Sequence, residues 1–270
     1  MFVDVKDIGR INVARTGPKD APLMVFLHGA GLDLTWWGAQ FDAFGRDREV
    51  VAFDLPGHGL SDDLHQAPTF DVMAHALEGV LDSLGGRTAH LVGLSIGGMI
   101  AQTFALRRPD LVRSLCLVAT WCSFPEEVRT VLRERARVAR EDGMARIAEL
   151  SNQRWFTADF RARRPDILTR TTRGLLQQSQ EFHARIWEMV SGLELEAQLP
   201  SISCPTLVVA GQLDINAPQS AAERITRAIP NARMVTLQGV GHFPPIEEAD
   251  AFNRVLIEFV GRAESGTHAS

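Results

Sequence analysis

The sequence predicts an α/β fold: a mostly parallel, twisted sheet flanked by helices. Three observations carry that expectation. Several short apolar runs are near-continuous rather than alternating, as strands buried on both faces are. Helical patterns fall between them, which implies βαβ crossovers in one sheet. And a glycine-serine-glycine cluster stands where one such run ends and a helix begins, "AHLVGLSIGGMIAQTFALRRP" (89–109).

The elements follow in order. The runs "LMVFLHG" (23–29) and "EVVAFDLPGHG" (49–59) read as buried strands closed by glycine turns. "FDVMAHALEGVLDSLGG" (70–86) reads as a helix ending in glycines, which suit a helix C-terminus. The strand at 89–95 leads into a helix whose apolar stripe holds Ile96, Met99, Ile100 and Phe104. "VRSLCLVAT" (112–120) is the next strand. From Cys122 to Leu199 no buried-strand pattern occurs; charged helical stretches with Trp155, Phe156, Phe160 and Trp187 replace it. The sheet resumes at "PTLVVAGQLD" (205–214), and a further strand within "ARMVTLQGVGH" precedes a helix starting near Ile246. The expected organisation is therefore a core of residues 1–121 and 200–262, a helical cap over 122–199, and a flexible tail over 263–270.

Composition narrows the function. An apolar share of 45% and a charged share of 23% are ordinary for a globular protein. A net charge of −5 argues against nucleic acid as a partner. Basic residues cluster in "RTVLRERARVARED" (129–142), but interleaved acids make a solvated helix face the expected reading. The charged start "MFVDVKDIGR" does not suit a signal peptide, and no apolar run nears the roughly 18 residues of a membrane span, so a cytoplasmic location is expected. Three cysteines (Cys116, Cys122, Cys204) without CxxC spacing indicate neither a disulfide framework nor a zinc site. The oligomeric state is not legible.

The serine cluster is the chemical signal. Gly93-Leu94-Ser95-Ile96-Gly97 is a G-x-S-x-G pattern at a strand-to-helix junction, the setting of a nucleophile elbow. There a sharp turn lifts the serine hydroxyl clear of the sheet, and side chains at the flanking positions would collide with it. The N–H of Ile96, at the start of the helix, is one expected oxyanion donor. The other is the N–H of Ala30, in "HGAG" (28–31) at the end of an earlier strand. A serine nucleophile needs a base and an acid to orient it, following in the order Ser, Asp or Glu, His. Asp214 and His242 each lie just past a strand, at the sheet edge where open α/β folds gather ligands. Because the base must be neutral, activity should fall in acid. Asp54, ahead of the serine, is expected to anchor a turn. His28 and His58 are expected to bond locally in glycine turns, and His65, His75, His90 and His183 show no partner pattern. Trp121 and Trp155 are candidate pocket-lining residues.

These stretches resemble the α/β-hydrolase superfamily from about Val3 to Val260, through "HGAGLD", "DLPGHGLSD", "GLSIGGMIAQTFALRRPDLVRSLCLVAT", "AGQLDINAP" and "GVGHFPPIEEADAFN". A narrower similarity, to the 3-oxoadipate enol-lactonase group, is carried by the serine segment and by "RWFTADFRARRP" (154–165) inside the cap. The chain departs from that group at "SQEFHARIWEMVSGLELEAQL" (179–199), where substrate would be contacted, and has Ala217-Pro218 where the group has Thr-Pro. The resemblance implies an α/β-hydrolase fold and a serine hydrolase of small to medium esters or lactones, acting through an acyl-enzyme and requiring no metal or organic cofactor. The alternatives are a C–C bond hydrolase or lyase with the same triad, a perhydrolase-like activity, and a slow-turnover ligand receptor. The chain has no tyrosine, which together with Ser95 argues against epoxide hydrolysis.

Overall fold

The computed structural model describes residues 1–266. Strands buried on both sides dictate the architecture. β3 (Leu23–Leu27), β4 (Glu49–Phe53) and β5 (Ala89–Leu94) are buried at every residue, and β6 (Val112–Val118) at all but Arg113. With β1 (Phe2–Val5), β2 (Gly9–Thr16), β7 (Thr206–Gly211) and β8 (Ala232–Leu237) they form an eight-stranded sheet in the order β1-β2-β4-β3-β5-β6-β7-β8. β3 to β8 pair in parallel, while β1 and β2 add antiparallel strands at one edge. The mostly parallel sheet expected from the apolar runs is present; the antiparallel edge was not anticipated, because β2 alternates and lacks a continuous apolar run.

Three helices precede β6: α1 (Gly38–Phe44), α2 (Phe70–Ser83) and α3 (Ile96–Arg107). α2 begins on a Thr69 side chain that accepts from the Val72 N–H, and it buries Met73, Leu77, Val80 and Leu81. Between β6 and β7, neighbours in the sheet, lie five helices: α4 (Glu126–Glu141), α5 (Gly143–Trp155), α6 (Ala158–Arg163), α7 (Pro165–Leu176) and α8 (Gln180–Ser191). α9 (Gln219–Ala228) links β7 to β8.

The chain end differs in detail from expectation. The helix predicted from Ile246 is split into a turn, α10 (Pro244–Glu247), and α11 (Ala249–Ser265), with Glu248 out of helical geometry between them. Residues 263–265, placed in the flexible tail on composition, continue α11, which ends on Gly266 in the left-handed conformation. Residues 267–270 lie outside the described residues. Among the described residues, no helix is long and apolar enough to cross a membrane.

Candidate active site

Ser95 occupies the turn between β5 and α3 with φ 54° and ψ −116°, a conformation that side-chain-bearing residues rarely adopt. Its surroundings hold it there. The Ser95 N–H donates to the Val118 carbonyl at 2.8 Å, and the Thr120 hydroxyl donates to the Ser95 carbonyl at 2.7 Å. The flanking glycines are steric necessities: a Cβ on Gly93 would run into the backbone of Gly97, and one on Gly97 into the carbonyls of Leu27 and His28.

Asp214 follows β7 and His242 follows β8, and the two loops are tied to each other. The Leu213 N–H donates to the Val240 carbonyl at 2.8 Å, and the Gly239 N–H to Gln212 Oε1 at 3.0 Å. Asp214 Oδ2 lies 2.7 Å from His242 Nδ1, while Oδ1 accepts from the N–H groups of Asn216 (2.7 Å) and Ala217 (3.0 Å). An ionised carboxylate only accepts, so Nδ1 carries the proton in this pair. Nε2 is thereby left as an acceptor, 3.1 Å from Ser95 Oγ. Three side chains that sequence placed on three separate loops form one hydrogen-bonded chain, with the Asp214 side chain wholly buried.

The N–H groups of Ala30 and Ile96 make no hydrogen bond among the described residues. Ala30 lines the same cavity as Ser95, whereas Ile96 is not among its lining residues and packs its side chain into the core. Such a pair of free donors beside a hydroxyl suits an oxygen that gains negative charge. Trp121 and Trp155 both line this cavity, whose volume is about 530 Å³. The Trp121 indole N–H is fixed on the Asn216 carbonyl at 2.8 Å. The segment 179–199 contributes Trp187 and Val190 to the wall, so the departure from the lactonase pattern does fall on the pocket.

Asp54 is a buried turn anchor: Oδ1 accepts from the Leu34 N–H at 2.7 Å, and Oδ2 from the Leu60 N–H and Asn12 Nδ2, both at 2.8 Å. His28 takes the Leu55 N–H on Nε2 and points Nδ1 at the Gly29 carbonyl. His58 bonds the Pro56 carbonyl. Burial holds His28 near a pKa of about 4 and His58 near about 3. His90 and His183, which showed no partner pattern in the sequence, are buried and partnered. His90 Nδ1 meets Ser114 Oγ at 2.7 Å, and His183 Nε2 accepts from the Trp187 indole N–H at 2.9 Å.

Sequence reasoning missed Glu247. This buried carboxylate accepts from the Gly241 N–H (3.1 Å), one residue before His242, and from the Thr157 N–H (3.2 Å) and hydroxyl (3.1 Å) at the start of α6. Burial pushes its pKa up, against the pull of these donors. In the sequence it is one acid of "IEEAD", indistinguishable from a solvated helix start.

With this geometry in view, comparison with known proteins is decisive for the family. Residues 24–255 match the model of the alpha/beta hydrolase family. The chain belongs to this family. It is 28% identical over 246 residues to 3-oxoadipate enol-lactonase 2 of Acinetobacter baylyi, covering 91% of each chain. It is 29% identical over 280 residues to a 2-hydroxy-6-oxononadienedioate/2-hydroxy-6-oxononatrienedioate hydrolase of Cupriavidus pinatubonensis, covering 96% of this chain and 94% of that one. The crystal structure of the enol-lactonase from Burkholderia xenovorans superposes with a TM-score of 0.91 at 29% identity, over 97% of this chain and all of that one. This alpha/beta hydrolase thus shares its architecture with an enzyme named for lactone hydrolysis and aligns along most of its length with one named for dienedioate hydrolysis.

Proposed function

We propose that this alpha/beta hydrolase cleaves a carboxylic ester or lactone of small to medium size through an acyl-enzyme on Ser95. The observation that carries the reading is the chain Asp214–His242–Ser95, with separations of 2.7 and 3.1 Å, set beside two unpaired backbone donors. His242 Nε2 takes the Ser95 proton as Oγ attacks the carbonyl carbon, and Asp214 holds the tautomer and offsets the imidazolium charge. The N–H groups of Ala30 and Ile96 receive the tetrahedral oxyanion. His242 then gives the proton to the leaving alkoxide, and water, activated by the same imidazole, releases the acid and restores Ser95. None of these steps calls for a metal or an organic cofactor.

The helices from 122 to 199 act as a cap. Trp155 on α5 and Trp187 on α8 close a largely apolar cavity over Ser95, with Trp121 on the core side, which favours compact substrates over polymers. The relatives named enol-lactonase support the lactone side of the proposal. The relative named as a dienedioate hydrolase favours, as a second reading, C–C bond hydrolysis by the same three side chains.

A hydrolysis screen with purified protein decides between them, using p-nitrophenyl esters, simple lactones and an enol-lactone, with Ser95→Ala as control. Turnover of esters or lactones that vanishes in Ser95→Ala supports the proposal. A folded wild-type protein that hydrolyses none of them but cleaves a vinylogous 1,5-diketone moves the assignment to C–C hydrolysis.

A further inference from the structure

Asn216 stands two residues after Asp214, and each of its polar groups has a partner. Its N–H donates to Asp214 Oδ1 at 2.7 Å, and its carbonyl accepts from the Trp121 indole N–H at 2.8 Å. Its side chain crosses to the helical insertion. There Nδ2 donates to the Arg154 carbonyl at 2.8 Å, and Oδ1 accepts from Arg154 Nε at 3.0 Å. The backbone part of this pattern is local, since an aspartate accepts from the N–H two residues on whatever side chain stands there. The side-chain part joins residues 62 apart in the chain, and only an amide supplies both the donor and the acceptor that it uses.

The place it reaches is the end of α5. A helix leaves its last four carbonyls without an intrahelical donor. Two consecutive ones are taken by the catalytic loops: that of Arg154 by Asn216 of the acid loop, and that of Trp155 by the His242 N–H at 2.9 Å. The base loop comes so close that a Cβ on Gly241 would stand 3.0 Å from the Trp155 oxygen. A planar peptide unit separates the two carbonyls, so the acid and base loops share one rigid reference. Their relative position decides whether Asp214 Oδ2 meets His242 Nδ1.

We propose that Asn216 is a positioning residue for Asp214. Its side chain fastens the acid loop to the end of α5, and its N–H thereby holds Oδ1 so that Oδ2 faces His242. The proposal rests on Ser95, His242 and Asp214 as the catalytic chain. Disabling the carboxylate of such a chain outright costs about ten-thousandfold in kcat. Without the Asn216 side chain, Asp214 keeps the Ala217 N–H at 3.0 Å, and Trp121 still holds the Asn216 carbonyl. The expected loss is therefore smaller, about tenfold to a hundredfold.

The test uses the whole chain as wild type, Asn216→Ala and Asn216→Asp, with circular dichroism to establish folding. Asn216→Asp is isosteric and loses the donor to the Arg154 carbonyl, so it probes the clasp even if Asn216→Ala fails to fold. On p-nitrophenyl acetate, butyrate and hexanoate both variants should lose about tenfold or more in kcat, by the same factor on each ester, with KM within about threefold. Adding Asn216→Asp to Asp214→Ala should cost less than about twofold further, because the group it acts through is gone. The rate of Ser95 labelling by a fluorophosphonate reads this where hydrolysis is too slow. Unchanged kcat in both variants, or an undiminished further loss in the Asp214→Ala background, overturns the proposal. A second arm needs no substrate. Nitrogen-15 histidine NMR should show His242 as the Nδ1-protonated tautomer in wild type, its signals recognised by their loss in His242→Ala, and a mixture of tautomers in the Asn216 variants. A mixture supports the proposal even if no ester is turned over, in which case the ester proposal alone fails. An unchanged tautomer in both variants counts against the positioning role whatever the activity.

Discussion

The backbone N–H of His242 donates to the carbonyl of Trp155 at 2.9 Å. The loop that carries the imidazole is thereby fastened to the end of α5, a helix inserted about ninety residues earlier in the chain. Glu247 reinforces the junction by holding Gly241 with one oxygen and Thr157 with the other. The position of His242 over Ser95 is thus set by the core and the helical insertion together.

That junction gives the first prediction. Glu247→Ala leaves three donors without their acceptor, and a buried unpaired donor costs about 1–3 kcal/mol. Some of that loss is recovered by water, so a destabilisation of about 2–4 kcal/mol is expected in denaturant unfolding. The kcat for ester hydrolysis should fall while KM changes little, because His242 loses its alignment and the cavity wall does not. Glu247→Gln should restore part of both, since its amide oxygen still accepts. A Glu247→Ala protein with unchanged kcat and stability contradicts the positioning role.

The second prediction concerns the turn at Ser95. Gly97→Ala drives a Cβ into the Leu27 and His28 carbonyls, and these belong to a fully buried strand and its end, which have no room to move. A loss of about 3 kcal/mol or more is expected, as for other overpacked or strained core positions. Thermal unfolding checks it. Gly239→Ala is the comparison: that glycine has open space at its Cβ position, so its strain comes from a positive φ of 71° alone. It should lose less.

The third prediction is a pH dependence of stability. Burial lowers the pKa of His28 to about 4, of His58 to about 3 and of His90 to about 4, and it lowers His183 as well. In the unfolded chain these imidazoles titrate near the ordinary value of about 6.5. As pH falls below 6.5 the unfolded state therefore takes up protons that the folded state refuses. Stability is whole above about pH 6.5 and declines from there towards pH 4, by a few kcal/mol for the set. The Tm should drop clearly between pH 7 and pH 5, above the range in which carboxylates of ordinary pKa protonate. A Tm that stays flat over that interval rules out neutral buried histidines.

Much of this was legible in the sequence for physical reasons. Strands covered on both faces are apolar at nearly every position, so β3, β4, β5 and β7 stand out as runs, and the buried exceptions Glu49, His90 and Thr206 sit at or near strand starts. The Ser95 turn tolerates only glycine at 93 and 97, so it leaves a pattern in the sequence. What stayed hidden depends on which way a polar side chain faces. Arg135, whose Nη2 donates to Ser151 Oγ, lines the cavity from a stretch that reads as a solvated face, and for Arg133, Arg137 and Arg140 the ion pairs agree with that reading. A signal was nonetheless present: Val128, Val131, Leu132, Arg135 and Val138 share one helical stripe, and all line the cavity. An arginine in the middle of an apolar stripe marks a side chain drawn inward. Glu247 left no comparable mark, because its partners at Gly241 and Thr157 are backbone N–H groups and a hydroxyl far away in the chain.

The central claim, a nucleophilic Ser95 activated by His242, is tested most directly by intact-protein mass spectrometry after reaction with a small fluorophosphonate ester, followed by peptide mapping. The account predicts one adduct per chain on Ser95, loss of hydrolytic activity in step with labelling, no adduct in Ser95→Ala, and labelling slowed by about a thousandfold or more in His242→Ala. An adduct on another residue, or full ester hydrolysis by a chain quantitatively labelled at Ser95, would contradict it.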